Sequence, residues 1–389
     1  MRNMCDISQF YNCDLMQAPK QSQFQKKGNF RCAKVMVIFM NQKRIEDYGI
    51  RIGTLPRGPL NKITDVRGVR VGHTTIKSEL YQTGCTVILP SEQNVFTNKL
   101  IAASFVHNGY GKTCGTVQID ELGTLETPIA LTNTLNVGLV ADALVEYTVN
   151  RCQEDGVRAA SVNPVVGECN DASMNTITDR PVKKQHVMEA IASAEADFAE
   201  GNVGAGTGTG CYGFKGGIGS ASRTVTISGE TYTVGILVQS NYGATRDLRL
   251  NGKPLDEDIL AQVNGTECDK GSIIVVLATD VPLTARQLKR VVRRCSVGIA
   301  RLGSYIGHGS GEVFLGFSTA NVIVPDDEMM TVRCIHDNVI DRVFRAVGEA
   351  TEEAILNSMV CASAAKDLAG NTVHSLAEYL QAAEPQTEA

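Results

Sequence analysis

In the stretch CDKGSIIVVLATD (268–280), Gly271 and Ser272 stand immediately before an apolar, β-branched run. A serine hydroxyl is a weak nucleophile until a base takes its proton, and the usual base is a histidine. The six histidines of the chain do not cluster in sequence. Nor is there a G-x-S-x-G elbow: around Ser310, in GHGSGE, His308 and Glu312 occupy the places of its glycines, and the segment runs into a strand pattern rather than a helix. A serine can instead carry its own base by becoming the first residue of a chain. An α-amino group titrates at about 7.7–8.0, so near neutrality part of it is free to accept the hydroxyl proton beside it. Cutting Gly271–Ser272 would give Ser272 both roles, and the glycine would permit the crowded backbone that attack on its own carbonyl requires. The plainer reading of the same pair is a turn followed by the first polar position of a strand.

The densest glycine stretch is GNVGAGTGTGCYGFKGGIGSASR (201–223). Its GTGCYG matches G-x-G-x-x-G in form, but no helix pattern follows, which removes the dinucleotide reading. It is not a P-loop either, because Lys215 is followed by Gly216 instead of Ser or Thr. Glycine at this density predicts a loop that turns sharply or approaches a ligand closely, without saying which chemistry it serves.

The elements that must hold such a serine alternate along the chain. Runs at 85–90, 99–109, 126–134, 223–241, 271–280 and 311–321 read as strands, rich in β-branched residues and bounded by Gly, Asn or Pro. Amphipathic helix patterns cover 137–154, 183–198, 284–302 and about 337–359. In the third, Thr284 is an N-cap, Leu288, Val291, Cys295, Ile299 and Leu302 form the apolar stripe, and Arg286, Lys289, Arg290, Arg293 and Arg294 read as a solvated face. Tyr147 sits on the apolar face of the first helix and reads as packing. Residues 1–45 are polar and without period, an expected poorly ordered extension, and Met40 is a possible alternative start. Residues 46–389 read as one layered α/β domain, since no Pro-rich linker divides them.

Composition narrows the classes. Of 389 residues, 43% are hydrophobic and 20% charged, which excludes collagen-like and highly charged disordered chains. With 37 Lys and Arg against 42 Asp and Glu, the net charge of -5 argues against nucleic acid as a partner. The longest early apolar run, VMVIFM (35–40), is far short of a membrane span. Twelve dispersed cysteines with no C-x-x-C pair fit reduced thiols in the cytoplasm better than disulfides or a metal site. No cofactor is expected.

Together, KGSIIVVLATDVPLTARQLKRVVRRCSVGIARLGS, GSGEVFLGFSTAN, GTLPRGPLNKITDVRGVRVGHTTI (53–76), NGYGKTCG (108–115), ELGTLETPIALTNTLNVG (121–138), the glycine-rich stretch and GILVQSNYG (235–243) resemble the L-aminopeptidase/D-amidase/D-esterase family, the DmpA and β-peptidyl aminopeptidase group. The blocks keep the family's order over about 50–375. The resemblance implies a four-layer αββα sandwich like that of the N-terminal-nucleophile hydrolases, with its own connectivity. It also implies self-cleavage into a larger chain, 46–271, and a smaller one, 272–389, that stay together in a homo-oligomer. By resemblance Ser272 is the nucleophile, Gly271 the new carboxyl end, and Asn241 an oxyanion donor. Ser310 and Glu312 assist proton transfer, and Glu168 in NPVVGECND binds the substrate's amino group. The family's aromatic and glycine after that glutamate are replaced by Asn170 and Ala172, so substrate preference does not transfer. The implied activity is release of amino-terminal residues from small peptides, amides or esters. An acyl or aminoacyl transferase of related fold and an uncleaved binding protein are the alternatives.

Overall fold

The computed structural model describes residues 42–263, 265–324 and 328–382. The expectations for an extension over 1–45 and for a start at Met40 therefore lie almost wholly outside the described residues. Residues 42–45, which are described, pack into the body: Ile45 is fully buried and its N–H donates to Asn357 Oδ1 at 3.0 Å.

In chain order the main strands are β1 (Arg70–Lys77), β2 (Gln82–Leu89), β3 (Lys99–Gly109), β4 (Thr124–Leu125), β5 (Ile129–Asn133), β6 (Val165–Cys169), β7 (Ile218–Ile227), β8 (Glu230–Asn241), β9 (Lys270–Thr279) and β10 (Gly309–Ile323). The main helices are α1 (Thr116–Leu122), α2 (Val137–Glu154), α3 (Lys184–Ala192), α4 (Ala285–Val292), α5 (Cys295–Arg301) and α6 (Asp341–Val360). A four-stranded sheet has the order β1-β2-β5-β6, and a six-stranded sheet the order β4-β3-β10-β9-β8-β7.

Three apolar clusters make these elements into layers. Val87, Ala130 and Val166 of the smaller sheet pack on Val140 and Leu144 of α2 and Val187 of α3. Leu131 and Val165 on its other face meet Leu237, Ile274, Val276 and Leu315 of the larger sheet. Behind that sheet, Val238, Val275 and Leu277 pack on Leu288, Ile299 and Val347 from α4, α5 and α6. The fold is thus helix, sheet, sheet, helix, the αββα sandwich expected. Because β9 lies between two neighbours and under helices on one side and a sheet on the other, its run from Ile273 to Ala278 is apolar throughout instead of alternating.

Two helices depart from the sequence pattern. The one expected over 284–302 is two, α4 and α5, joined by a tight turn at Arg293 and Arg294 in which Arg294 N–H donates to Val291 O. The two guanidinium groups lie over different rings, Arg293 on Phe105 and Arg294 on Phe344, while the stripe from Leu288 to Leu302 stays buried. The helix expected over 183–198 ends at Ala192, because Glu195 exchanges both backbone hydrogen bonds with Val71 of β1.

Candidate active site

Register brings the residues around Ser272 together. In the antiparallel pair β8–β9, Asn241 lies opposite Ser272. In the parallel pair β9–β10, Gly271 lies opposite Ser310, Ser272 opposite Gly311 and Ile273 opposite Glu312. Ser272 is 4% exposed, at the mouth of the central strand. Gly271 has φ +118°, and a Cβ there would stand 1.9 Å from the Asn241 carbonyl oxygen. Only glycine allows the strands to close to this distance in that conformation.

Strand alternation assigns sides. Ser272 shares its side with Ile274, which belongs to the apolar layer between the sheets, whereas Ser310 and Glu312 share the helix-facing side with Ile273 and Phe314. The Ser310–Glu312 pair therefore flanks the Gly271–Ser272 peptide itself. Ser310 Oγ donates to Glu312 Oε1, while Glu312 Oε2 is buried without a partner. Burial pushes the Glu312 carboxyl up to about 7, with the Ser310 hydrogen bond opposing and the negative charge of Asp269 adding to the rise.

Asn241 is oriented by the glycine-rich stretch. Gly210 N–H donates to Asn241 Oδ1 at 3.0 Å, which leaves the amide Nδ2 as the donor end. A cavity of about 230 Å³ touches Asn241, Gly271, Lys270, Gly210, Met174 and Tyr212. A larger hollow of about 490 Å³ by Arg70 and Tyr147 lies away from this serine, and its Arg70–Glu92 and Arg151–Glu154 ion pairs already satisfy their own charges. It does not bear on the chemistry. Tyr147 is half-buried at its rim.

Glu168 enters from the facing sheet. It is 3% exposed; Lys112 N–H donates to Oε1 at 2.9 Å, and Thr134 Oγ donates to Oε2. Among the described residues no cation pairs with it. Its neighbour Cys169 donates its thiol to the backbone carbonyls of Ser272 (3.5 Å) and Gln239 (3.4 Å), which ties β6 to the mouth of β9. Burial holds that thiol well above its ordinary range, so it is inert packing. Asn170 is exposed and closes a turn by accepting from Ala172 N–H.

Sequence reasoning missed three groups here. Asn108 Nδ2 donates to the carbonyls of Gly307, His308 and Ser310, fixing the turn that leads into β10. Asp269 accepts from Ser304 Oγ (2.5 Å) and Ile306 N–H (3.1 Å), and so pins the segment just before the Gly-Ser pair to the same turn. Thr134 holds Glu168. Asn108 and Thr134 lie inside blocks that carry the family resemblance, which was the available signal; Asp269 had none beyond its nearness to Ser272.

The αββα layers are the fold of the N-terminal-nucleophile hydrolases. The chain belongs to peptidase family S58, whose sequence pattern matches residues 61–373. It is 37% identical over 359 residues to the beta-peptidyl aminopeptidase BapA of Sphingosinicella microcystinivorans, covering 86% of this chain and 89% of that one. Among solved structures, the PH0078 protein from Pyrococcus horikoshii OT3 is 45% identical with a TM-score of 0.83, covering 87% of this chain and 98% of that chain. The L-aminopeptidase D-Ala-esterase/amidase of Ochrobactrum anthropi, described as a prototype of the serine aminopeptidases and a new variant of the Ntn hydrolase fold, is 35% identical with a TM-score of 0.80, covering 87% and 96%.

Proposed function

We propose that this serine aminopeptidase matures by cutting its own Gly271–Ser272 bond and then acts on small peptides, amides or esters that carry a free amino group. The observation that carries the reading is the packing at Gly271, where a positive φ and an Asn241 carbonyl that leaves no room for a Cβ admit only glycine directly before a buried serine. In the uncut chain Ser272 Oγ adds to the Gly271 carbonyl carbon. The C–N bond then breaks, leaving an ester on Ser272 Oγ and a proton on its nitrogen. Water hydrolyses the ester, freeing the Gly271 carboxylate and the serine hydroxyl. The Ser310–Glu312 pair flanks the departing nitrogen, supplies its proton and is reprotonated by the one that Ser272 Oγ gives up.

In the cut enzyme the new α-amine takes the Ser272 hydroxyl proton as the serine attacks the substrate carbonyl. Asn241 Nδ2 stabilises the oxyanion, the leaving group departs protonated, and water resolves the acyl-serine. The unpartnered Glu312 Oε2 gives the α-amine an acceptor. Glu168, a buried carboxylate held by two neutral donors, takes the substrate ammonium. A chain that continued past that point would leave the carboxylate unpaired, which favours aminopeptidase over endopeptidase action. The dispersed thiols support a cytoplasmic setting. A homo-oligomer of two-chain units is what the family resemblance implies.

The denatured intact mass tests the reading. Wild-type protein is expected to give two species, one beginning at Ser272, and Ser272→Ala a single uncut chain unable to hydrolyse an aminoacyl p-nitroanilide. A hydrolytically active Ser272→Ala would overturn it.

A further inference from the structure

The glycine-rich stretch contains a group that the reaction above leaves unused. Lys215 is fully buried, and its Nζ donates to the carbonyl oxygens of Gly206 (3.1 Å), Thr209 (2.6 Å) and Gly216 (2.8 Å). Three acceptors match the three N–H donors of an ammonium. Among the described residues no carboxylate pairs with it. Burial pulls its pKa down to about 7; Lys77 adds to that fall, and Cys211 and Asp171 oppose it. Holding a lone ammonium this deep is costly, so the fold has a reason to keep it.

The reason lies in a single peptide unit. Thr209 C=O and Gly210 N–H belong to the same peptide plane. Lys215 Nζ holds the oxygen end, and the N–H end donates to Asn241 Oδ1. A second donor, Gly216 N–H, reaches the same Thr209 oxygen at 3.0 Å. Positive charge on the carbonyl oxygen makes the N–H more acidic, and a stronger bond at Oδ1 makes the amide Nδ2 in turn a stronger donor. Cation, peptide and side-chain amide line up in one polarised chain.

We propose that Lys215 is a positioning residue of the oxyanion site, orienting and polarising Asn241 through the Thr209–Gly210 peptide. The inference rests on Asn241 being the oxyanion donor. An ammonium linked to the developing negative charge through three hydrogen bonds in series stabilises the transition state more than the bound substrate, so it acts on kcat and leaves KM nearly unchanged. Its contribution is smaller than that of a direct donor, whose loss costs about 10²–10³ in kcat.

The test compares wild type, Lys215→Met, Asn241→Ala and the double variant, with rates per mole of cut chain from the intact mass. Lys215→Met is expected to lower kcat about 10-fold with little change in KM. It is also expected to weaken, by the same factor, a free-amine peptide aldehyde, whose carbonyl carbon accepts Ser272 Oγ to form a hemiacetal. Binding of the product amino acid should be unaffected. In the Asn241→Ala background Lys215→Met should have no further effect, whereas a role confined to packing would persist there. Additive losses, or a fall in product binding equal to that in kcat, would overturn the inference. An Asn241→Ala enzyme with wild-type kcat would instead overturn the oxyanion assignment on which it rests. If a variant stays uncut or unfolded, the readout moves to wild type with ¹³C-labelled lysine. A shift of the Lys215 Cε resonance on forming the aldehyde adduct supports the inference, and an unmoved resonance defeats it.

Discussion

At the scale of single residues, Glu312 decides how the site answers to pH. Its pKa, raised by burial to about 7, exceeds its unfolded value of about 4.3, so below neutrality the folded chain holds a proton that the unfolded chain has released. Stability from this group is therefore full below the unfolded pKa and is lost as pH rises through about 7. Glu312→Gln is expected to raise Tm at pH 8 relative to wild type and to leave it nearly unchanged at pH 4, measured by thermal unfolding in the Ser272→Ala background. The same proton serves self-cleavage: the rate should fall as pH rises past about 7 in wild type and be slow and flat in Glu312→Gln, read by intact mass over time. Ser272, Ser310, Glu312 and Asn241, which the strand register brings together, were picked out in the sequence through the order of the family blocks, their residue types alone being too common to mark a site. Lys215 and Asn108 lie inside the same blocks, but their partners were not legible, because they donate to backbone carbonyls, which look alike in every sequence.

At the scale of elements, the block GTLPRGPLN at 53–61 is a strap over α6. Glu349 Oε2 accepts from the N–H groups of Thr54 and Leu55, and a Cβ at Gly53 would collide with the Glu349 carboxyl. Beneath the strap Arg223 of β7 is wholly buried, donating to Glu349 (3.3 Å), Glu353 (2.5 Å) and the Ile52 carbonyl (2.8 Å). Removing one member of such a network leaves buried carboxylates short of a partner. Arg223→Met is expected to lose about 3–5 kcal/mol of stability, seen as a lower urea midpoint in the uncut Ser272→Ala chain. Most strands were readable from β-branched runs, and α2 and α6 from their patterns, but β1 (Arg70–Lys77) and β6 (Val165–Cys169) of the smaller sheet were not among the expected strands. The break at Arg293–Arg294 was not readable either, since the apolar stripe from Leu288 to Leu302 runs through it without interruption and neither Gly nor Pro marks it.

At the scale of the whole molecule, a cut at Gly271–Ser272 would part the chain at the mouth of a strand without separating the layers. The smaller product would carry β9, β10 and α4 to α6, and the larger β3, β7, β8 and all of the four-stranded sheet. In the larger sheet β9 and β10 lie between β8 and β3, so the smaller chain would be paired along both flanks by the larger one. Its helices would also remain in the same apolar cluster as Ile236 and Val238 of β8. Pulling the chains apart would expose both sheet edges and that cluster together, a loss far beyond one peptide bond. The cut protein is expected to co-elute with uncut Ser272→Ala in native buffer and to separate into two chains only in denaturant. On dilution from urea the uncut chain should refold at a rate independent of concentration. The cut pair must first meet, so its recovery should fall as the protein is diluted. Equal, concentration-independent recovery of the two would show that the chains do not depend on each other for their fold, contrary to the interleaved sheet.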